Sequence, residues 1–301
     1  MSSSKAESVF AKLKARFRKE GGDFQALLER YALERLLYRL SQSPHADHFV
    51  LKGAQLFALW SGTPHRPTRD ADLLGYGDGS AEALHAIFAE LAQLPDMPDD
   101  GLVWDVATLQ VLPIRKEAEY GGMRLRWKAL LHGAQIRVQI DIGFGDAITP
   151  EATTVQWPSL LDLPAPKLHA YPPETVIAEK LEAAVKLGRL NSRMKDFYDL
   201  HWLAQNRIFD TVVLVRAMRA TFERRQTPLP DVCPLALTQA FAQDKDKQTQ
   251  WQAFLRKNDL AAPPLAEVIQ TLHDFLWPLL LQANLADGKD GGSPPPKSCA
   301  T

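Results

Sequence analysis

Cysteine is almost missing from this chain: two of its 301 residues, Cys233 and Cys299. That excludes a disulfide framework and a cysteine-built zinc site, and it fits a reducing cytoplasm. Net charge is missing too. Thirty-five Lys and Arg against 36 Asp and Glu leave −1, so no global field draws the chain to nucleic acid or an anionic membrane; such a contact has to come from a local patch. No apolar run reaches the roughly 18 residues of a membrane span, and the charged N-terminal segment has no apolar core of signal-peptide length. The expectation is a cytoplasmic protein with no membrane partner. No internal repeat is present. What remains, 46% hydrophobic and 24% charged residues, is the composition of a globular protein long enough for one large domain or two ordinary ones.

Helical periodicity covers 5–18 and 23–42. In the second stretch Phe24, Leu27, Leu28, Tyr31, Leu36 and Leu40 recur at close to helical spacing, and Ser43-Pro44 ends it. A short apolar strand at 49–51 runs into Lys52-Gly53-Ala54 and a helix to about Trp60. Residues 70–74 read as a second strand, followed by glycines and then by Ser80, which suits the cap of a helix over 81–94. Strands follow at about 103–112, 123–131 and 135–142, the last two joined as a hairpin through His132-Gly133-Ala134. Five prolines between 158 and 173 read as a linker. Beyond them the pattern is helical, at 173–188, 195–206, 210–224, 248–257 and 265–282. The apolar stretch 272–281 reads as a packed helix. The C-terminal segment has nothing to bury and reads as disordered.

The chemistry concentrates on carboxylates. Side chains alternate across a strand, so Asp70, Asp72 and Leu74 share one face while Ala71 and Leu73 enter the core. Two carboxylates so placed repel each other unless a cation lies between them, which is what an oxygen-loving divalent ion requires. Magnesium held this way can bridge NTP phosphates. The competing reading is a solvated strand end. Upstream, Gly53 at a strand-to-helix turn lets backbone approach a phosphate; it also suits an ordinary turn. If 137–142 pairs beside 70–74, Asp141 joins the site as a base, as a further metal ligand, or merely as the polar face of a half-buried strand.

Further on, Val176, Ile177, Leu181, Ala184 and Val185 form a helical apolar stripe in which Lys180 also falls, while Glu179, Glu182 and Lys186 lie off it. An unpaired buried ammonium is costly, so Lys180 either snorkels outward or meets an anion, here read as NTP phosphates. On the next helix Asp196 falls between Leu200 and Leu203 of the apolar face and Asp199 flanks them; Asp196 is either a helix-start charge or a carboxylate that fixes Lys180 or the nucleotide. Lys186, Arg189, Arg193 and Lys195 between the helices suit either a triphosphate grip or a solvated loop. Arg124, Arg126 and Lys128 alternate with Leu125 and Trp127, a basic strand face that mildly favours RNA.

Together these segments resemble the AbiEii/AbiGii toxin family of minimal nucleotidyltransferases. The matching segments are Leu51-Lys52-Gly53-Ala54, then Arg66-Pro67-Thr68-Arg69-Asp70-Ala71-Asp72, then Glu179-Lys180-Leu181, then Lys195 to Leu200, in the family's order and spacing. The resemblance implies an α+β fold: a polymerase β-like core, a mixed sheet with flanking helices, before an all-helical C-terminal domain. The expected domains are N-terminal helices packed on the core at 1–47, the core at 48–160, the helical domain at 161–285 and the disordered tail at 286–301. It implies magnesium, with a two-ion site possible, on Asp70 and Asp72, and NTP as donor held by Lys52, Gly53, Ala54, Arg66, Thr68 and Lys180. Asp196 or Asp199 would be essential acids. The acceptor it implies is the 3′ end of tRNA, or other RNA, and the partner is an AbiEi-like DNA-binding antitoxin encoded nearby. Thr68 falls where a hydroxyl can be a target of inhibitory modification. Two positions depart from the pattern: Ala54 stands for the second turn glycine, and Gln55 for a small hydroxyl residue. Alternative readings are transfer to a protein or small molecule, and a non-catalytic nucleotide-binding member.

Overall fold

A computed structural model describes residues 3–62, 65–95, 97–114 and 121–290. The chain divides into two compact units, one made of Met1–Asp146 with Ala152–Tyr171, the other of Ala147–Glu151 with Pro172–Thr301.

The first unit opens with α1 (Ser3–Glu20) and α2 (Phe24–Gln42). Asp23 caps α2, its carboxylate accepting from the amides of Gln25 at 2.9 Å and Ala26 at 3.3 Å. Then come β1 (Phe49–Lys52), α3 (Gln55–Ser61), β2 (Asp70–Gly75) and α4 (Ala81–Leu91), followed by β3 (Val103–Ile114), β4 (Gly122–Leu131), β5 (Ala134–Phe144), β6 (Thr153–Gln156) and β7 (Lys167–Ala170). Ser80 caps α4 as its position predicts, its hydroxyl accepting from the Ala83 amide at 3.2 Å. The β4–β5 hairpin turns on His132 and Gly133, both at positive φ, the conformation that matches the twist of two paired strands.

The seven strands among the described residues form one sheet in the order β3-β4-β5-β2-β1-β7-β6. It is mixed, with β2–β5 and β1–β7 parallel and the other pairs antiparallel. The period of two sorts its side chains. Leu51, Ala71, Leu73, Leu125, Trp127, Val138, Ile140 and Ile142 are all buried on one face, where α1 packs on β4 and α2 on β5 and β7. The opposite face carries the polar side chains, Asp70, Asp72, Gln139, Asp141, Arg124, Arg126 and Lys128 among them, with Val50 and Leu74 buried at its β1–β2 part.

The second unit consists of α5 (Pro173–Leu187), α6 (Met194–Asn206), α7 (Thr211–Arg224), α8 (Gln239–Gln243), α9 (Lys245–Asn258) and α10 (Leu265–Asp290). Pro173 opens α5, where its missing N–H costs nothing. Ile177, Leu181, Phe197, Leu200, Leu214, Phe222, Trp251 and Leu272 fill its core. No described helix is long and apolar enough to cross a membrane.

Four readings need correction. The segment 158–173 is more than a linker: its residues Lys167–Ala170 are β7, paired to β1, so sheet structure continues past 160 and the helical unit begins at Pro172 with a short piece, Ala147–Glu151, added from upstream. β6 and α8 go unannounced in the sequence. α10 continues to Asp290, past the predicted end near 282 and into the predicted tail, whose residues 291–301 lie outside the described ones. Glu182, expected off the packed face, is buried; Arg225 donates to it at 2.9 Å and the Thr227 hydroxyl at 2.6 Å, which supplies the partners a buried carboxylate requires.

Candidate active site

On the polar face of the sheet, strand pairing lines up side chains that lie far apart in sequence. Asp72 of β2 stands opposite Lys52 of β1 and opposite Asp141 of β5, and Asp141 stands opposite Arg124 of β4. One step along, Asp70 pairs with Gln139, and Gln139 with Arg126. Asp70 and Asp72 are half-buried while Ala71 between them is fully buried, so both carboxylates face the same side, as alternation requires.

Gly53 explains the turn after β1. Its φ is +78°, and a Cβ placed on it would run into the carboxylate of Asp72. Any other residue here meets backbone strain and a collision together. The close approach sets the Asp72 side chain against the turn. Ala54 has φ −66° and ψ −26°, a conformation open to any L-residue, so the missing second glycine costs the turn nothing. Gln55 is buried, and its side-chain amide donates to the backbone carbonyl of Asp70 at 3.1 Å. The hydroxyl of Thr68 donates to the Asp70 carboxylate at 3.0 Å. The start of β2 is thus held from two sides, by a residue that departs from the family pattern and by one that matches it. Arg66 is half-buried in the segment leading into β2.

The neighbouring charges are engaged. Lys52 donates to Asp146 at 2.6 Å and to the Tyr171 hydroxyl at 3.4 Å, with its ammonium 5.0 Å from that ring's centre. Arg124 grips both oxygens of Asp141, at 2.8 and 2.6 Å. The hydrogen bond to Asp141 raises the Arg124 pKa above its ordinary value; partial burial opposes this, and the charges of Asp141, Asp70 and Asp72 reinforce it. Asp146, Tyr171 and Arg124 as partners of these site residues carry no local signal in the sequence. Each becomes a partner only through chain reversal or strand pairing.

Asp70 and Asp72 offer oxygen donors alone, and no described cluster of three or more His, Cys, Asp or Glu makes a closed cage. Two carboxylates suit a hard dication such as magnesium, which completes its shell with phosphate oxygens and water.

In the second unit Lys180 lies between two acids. Its ammonium is 2.6 Å from Asp196 and 2.9 Å from Asp199, and Arg193 reaches Asp196 at 2.6 Å. Burial pulls the Lys180 pKa down, but the charges of Asp196 and Asp199 outweigh it and the net shift is upward. Burial likewise pushes Asp196 up, and Lys180 and Arg193 reverse it to a net lowering. Of the basic residues between α5 and α6, Arg193 is thus paired with Asp196, and Arg189 meets Asp244 at 3.4 Å.

No curated protein matches the chain. Among solved structures, JHP933 from Helicobacter pylori has a TM-score of 0.49 at 16% identity, covering 89% of this chain and 95% of that one. A candidate nucleotidyltransferase from the same organism has a TM-score of 0.49 at 16% identity, covering 90% of this chain and 100% of that one. The family model of the AbiEii nucleotidyltransferase toxins of type IV toxin–antitoxin systems matches residues 35–277, well over half the sequence, and the chain belongs to that family.

Proposed function

We propose that this nucleotidyltransferase moves a nucleoside monophosphate from an NTP to the 3′ end of tRNA, with magnesium held by Asp70 and Asp72, acting as a toxin restrained by an AbiEi-like antitoxin encoded nearby. The observation that carries the reading is the pair of same-face carboxylates on β2, with Asp72 set against the Gly53 turn.

In the reaction, the terminal hydroxyl oxygen of the acceptor forms a bond to the α-phosphorus. The bond from that phosphorus to the bridging oxygen of the β-phosphate breaks, pyrophosphate leaves with the electron pair, and the hydroxyl proton passes to a base or to water. A magnesium ion at the two aspartates supplies charge neutralisation for this transfer. The chain's own groups orient the partners. Gly53 lets the turn close on the Asp72 carboxylate, Thr68 and Gln55 hold Asp70, Lys52 is set beside the turn by Asp146, and Arg66 lies in the segment leading into β2. Asp141 fixes the guanidinium of Arg124 beside both aspartates. For Lys180, Asp196 and Asp199 the support is the family motif: Lys180 as a triphosphate contact, the two acids as its holders.

The test is to incubate purified protein with magnesium, each labelled NTP in turn, and a total cell extract, then separate RNA from protein. Label in RNA that is lost on removal of the terminal 3′ nucleotides is the expected result. Label in protein or small molecules alone overturns the acceptor.

A further inference from the structure

A cleft of about 780 Å3 lies on the polar face of the sheet and begins at Asp70. Strand pairing sets its floor in two rows: Gln110, Arg126, Gln139 and Asp70 in the first, Lys128 and Arg137 in the second. Arg126, Lys128 and Arg137 are exposed. Lys128 and Arg137 stand directly opposite each other on adjacent strands, where like charges repel. Among the described residues no carboxylate forms an ion pair with any of the three. Arg126 donates to the side-chain amide oxygen of Gln139 at 3.4 Å, and Asp105, opposite Lys128 on β3, makes no ion pair with it. The cleft's fourth cation, Arg69, is paired to Asp23 at 2.7 Å. Three exposed cations without a carboxylate partner, gathered around one concavity, suit an anionic occupant.

We infer that the cleft is the track for the phosphate backbone of the nucleic-acid acceptor, whose 3′ end it delivers to Asp70; this rests on the acceptor reading above. Three observations separate it from the donor's site. Asp72 faces Gly53 and stands opposite Lys52, on the side where the NTP is read, whereas Asp70 lines the cleft, whose other carboxylate, Glu29, lies 3.8 Å from Arg69. Arg126 and Lys128 sit two residues apart on one strand, about 6.8 Å, so they can meet successive phosphates of a strand as well as a single group. Trp127 and Val138 between them are buried in the core, so the floor offers charge and donors without an aromatic platform. It reads backbone, not bases.

The experiment compares wild type, the triple variant Arg126→Gln/Lys128→Gln/Arg137→Gln and the charge-keeping variant Arg126→Lys/Arg137→Lys, all as the full chain. Binding of a single-stranded RNA with a free 3′ hydroxyl is followed by fluorescence anisotropy at several salt concentrations, magnesium-NTP binding by calorimetry, and transfer by label incorporation. The triple variant is expected to bind RNA at least about tenfold more weakly and to lose about 2 from the log–log salt slope, as befits three lost phosphate contacts. Its NTP affinity should stay within about twofold of wild type, and the lysine variant should keep the slope. An unchanged RNA affinity and slope in the triple variant, while wild type still labels RNA, overturns the cleft alone. So does a parallel loss of NTP affinity, which would make it the donor's site, or equal binding of poly-glutamate through the same three residues. Wild type that labels no RNA removes the acceptor reading, and the cleft assignment falls with it.

Discussion

At Gly53 two constraints meet in one residue: a φ of +78° and the Asp72 carboxylate packed where a side chain would begin. Gly53→Ala should cost about 1–3 kcal/mol of stability from the backbone alone, measured by chemical denaturation. By displacing Asp72 it should also reduce transfer by about 100-fold. Retention of full activity would mean that the seat of Asp72 does not matter. At Gln55 the argument runs through a hydrogen bond. Removing its amide leaves the Asp70 carbonyl without that donor, so Gln55→Ala should destabilise by about 1–2 kcal/mol. If the amide positions Asp70 for chemistry, kcat should fall while KM for the NTP holds. Gly53 was legible as a turn residue, since a glycine after an apolar strand is a local signal. The role of Gln55 was not, because its partner lies across a loop and nothing at position 55 itself announces it.

At the scale of elements, α5 and α6 are joined by the Lys180, Asp196 and Asp199 cluster. Asp196 titrates below its ordinary value near 3.8, and Lys180 above its ordinary value near 10.5. For a carboxylate with a lowered folded pKa, the unfolded chain binds the proton first as pH falls. Its contribution is therefore complete above about pH 4 and lost on further acidification. For a raised lysine the contribution is complete below its ordinary value and lost as pH climbs past it. The urea midpoint should thus be flat between these limits with respect to this cluster. Asp196→Asn should lower the midpoint at neutral pH, by about 3 kcal/mol in stability, and flatten the acid limb; an unchanged acid limb would place the titration elsewhere. The apolar stripe of α5 was readable from periodicity, and so was the anomaly of a lysine within it. Its partners were not: from sequence Lys180 reads as aimed at NTP phosphates, with the carboxylates of the next helix one option among others, because which side chain of α6 meets α5 depends on how the two helices pack. Glu182 escaped because its partners, Arg225 and Thr227, lie beyond α7. β7 escaped because a four-residue strand among prolines has no periodicity to detect, and its pairing with β1 joins residues more than a hundred positions apart.

For the molecule as a whole, strands with long alternating patterns and helices with clear caps announce themselves locally, which is why the α+β class and the run of elements from β1 to β5 could be read directly. Sheet order is different. That β2 lies between β1 and β5 is a long-range choice, and it alone sets Asp141 and Arg124 beside Asp72. The pairing of 137–142 with 70–74 was one of several open options until the register closed it. The account therefore stands on the two β2 carboxylates, and they can be tested singly. Transfer of label from NTP to RNA in magnesium should be measured for wild type, Asp70→Asn and Asp72→Asn, with folding of each variant checked by its unfolding midpoint. Both variants are predicted to fold and to lose about a thousandfold or more of the rate; a folded variant of either kind that labels RNA at the wild-type rate would contradict the assignment.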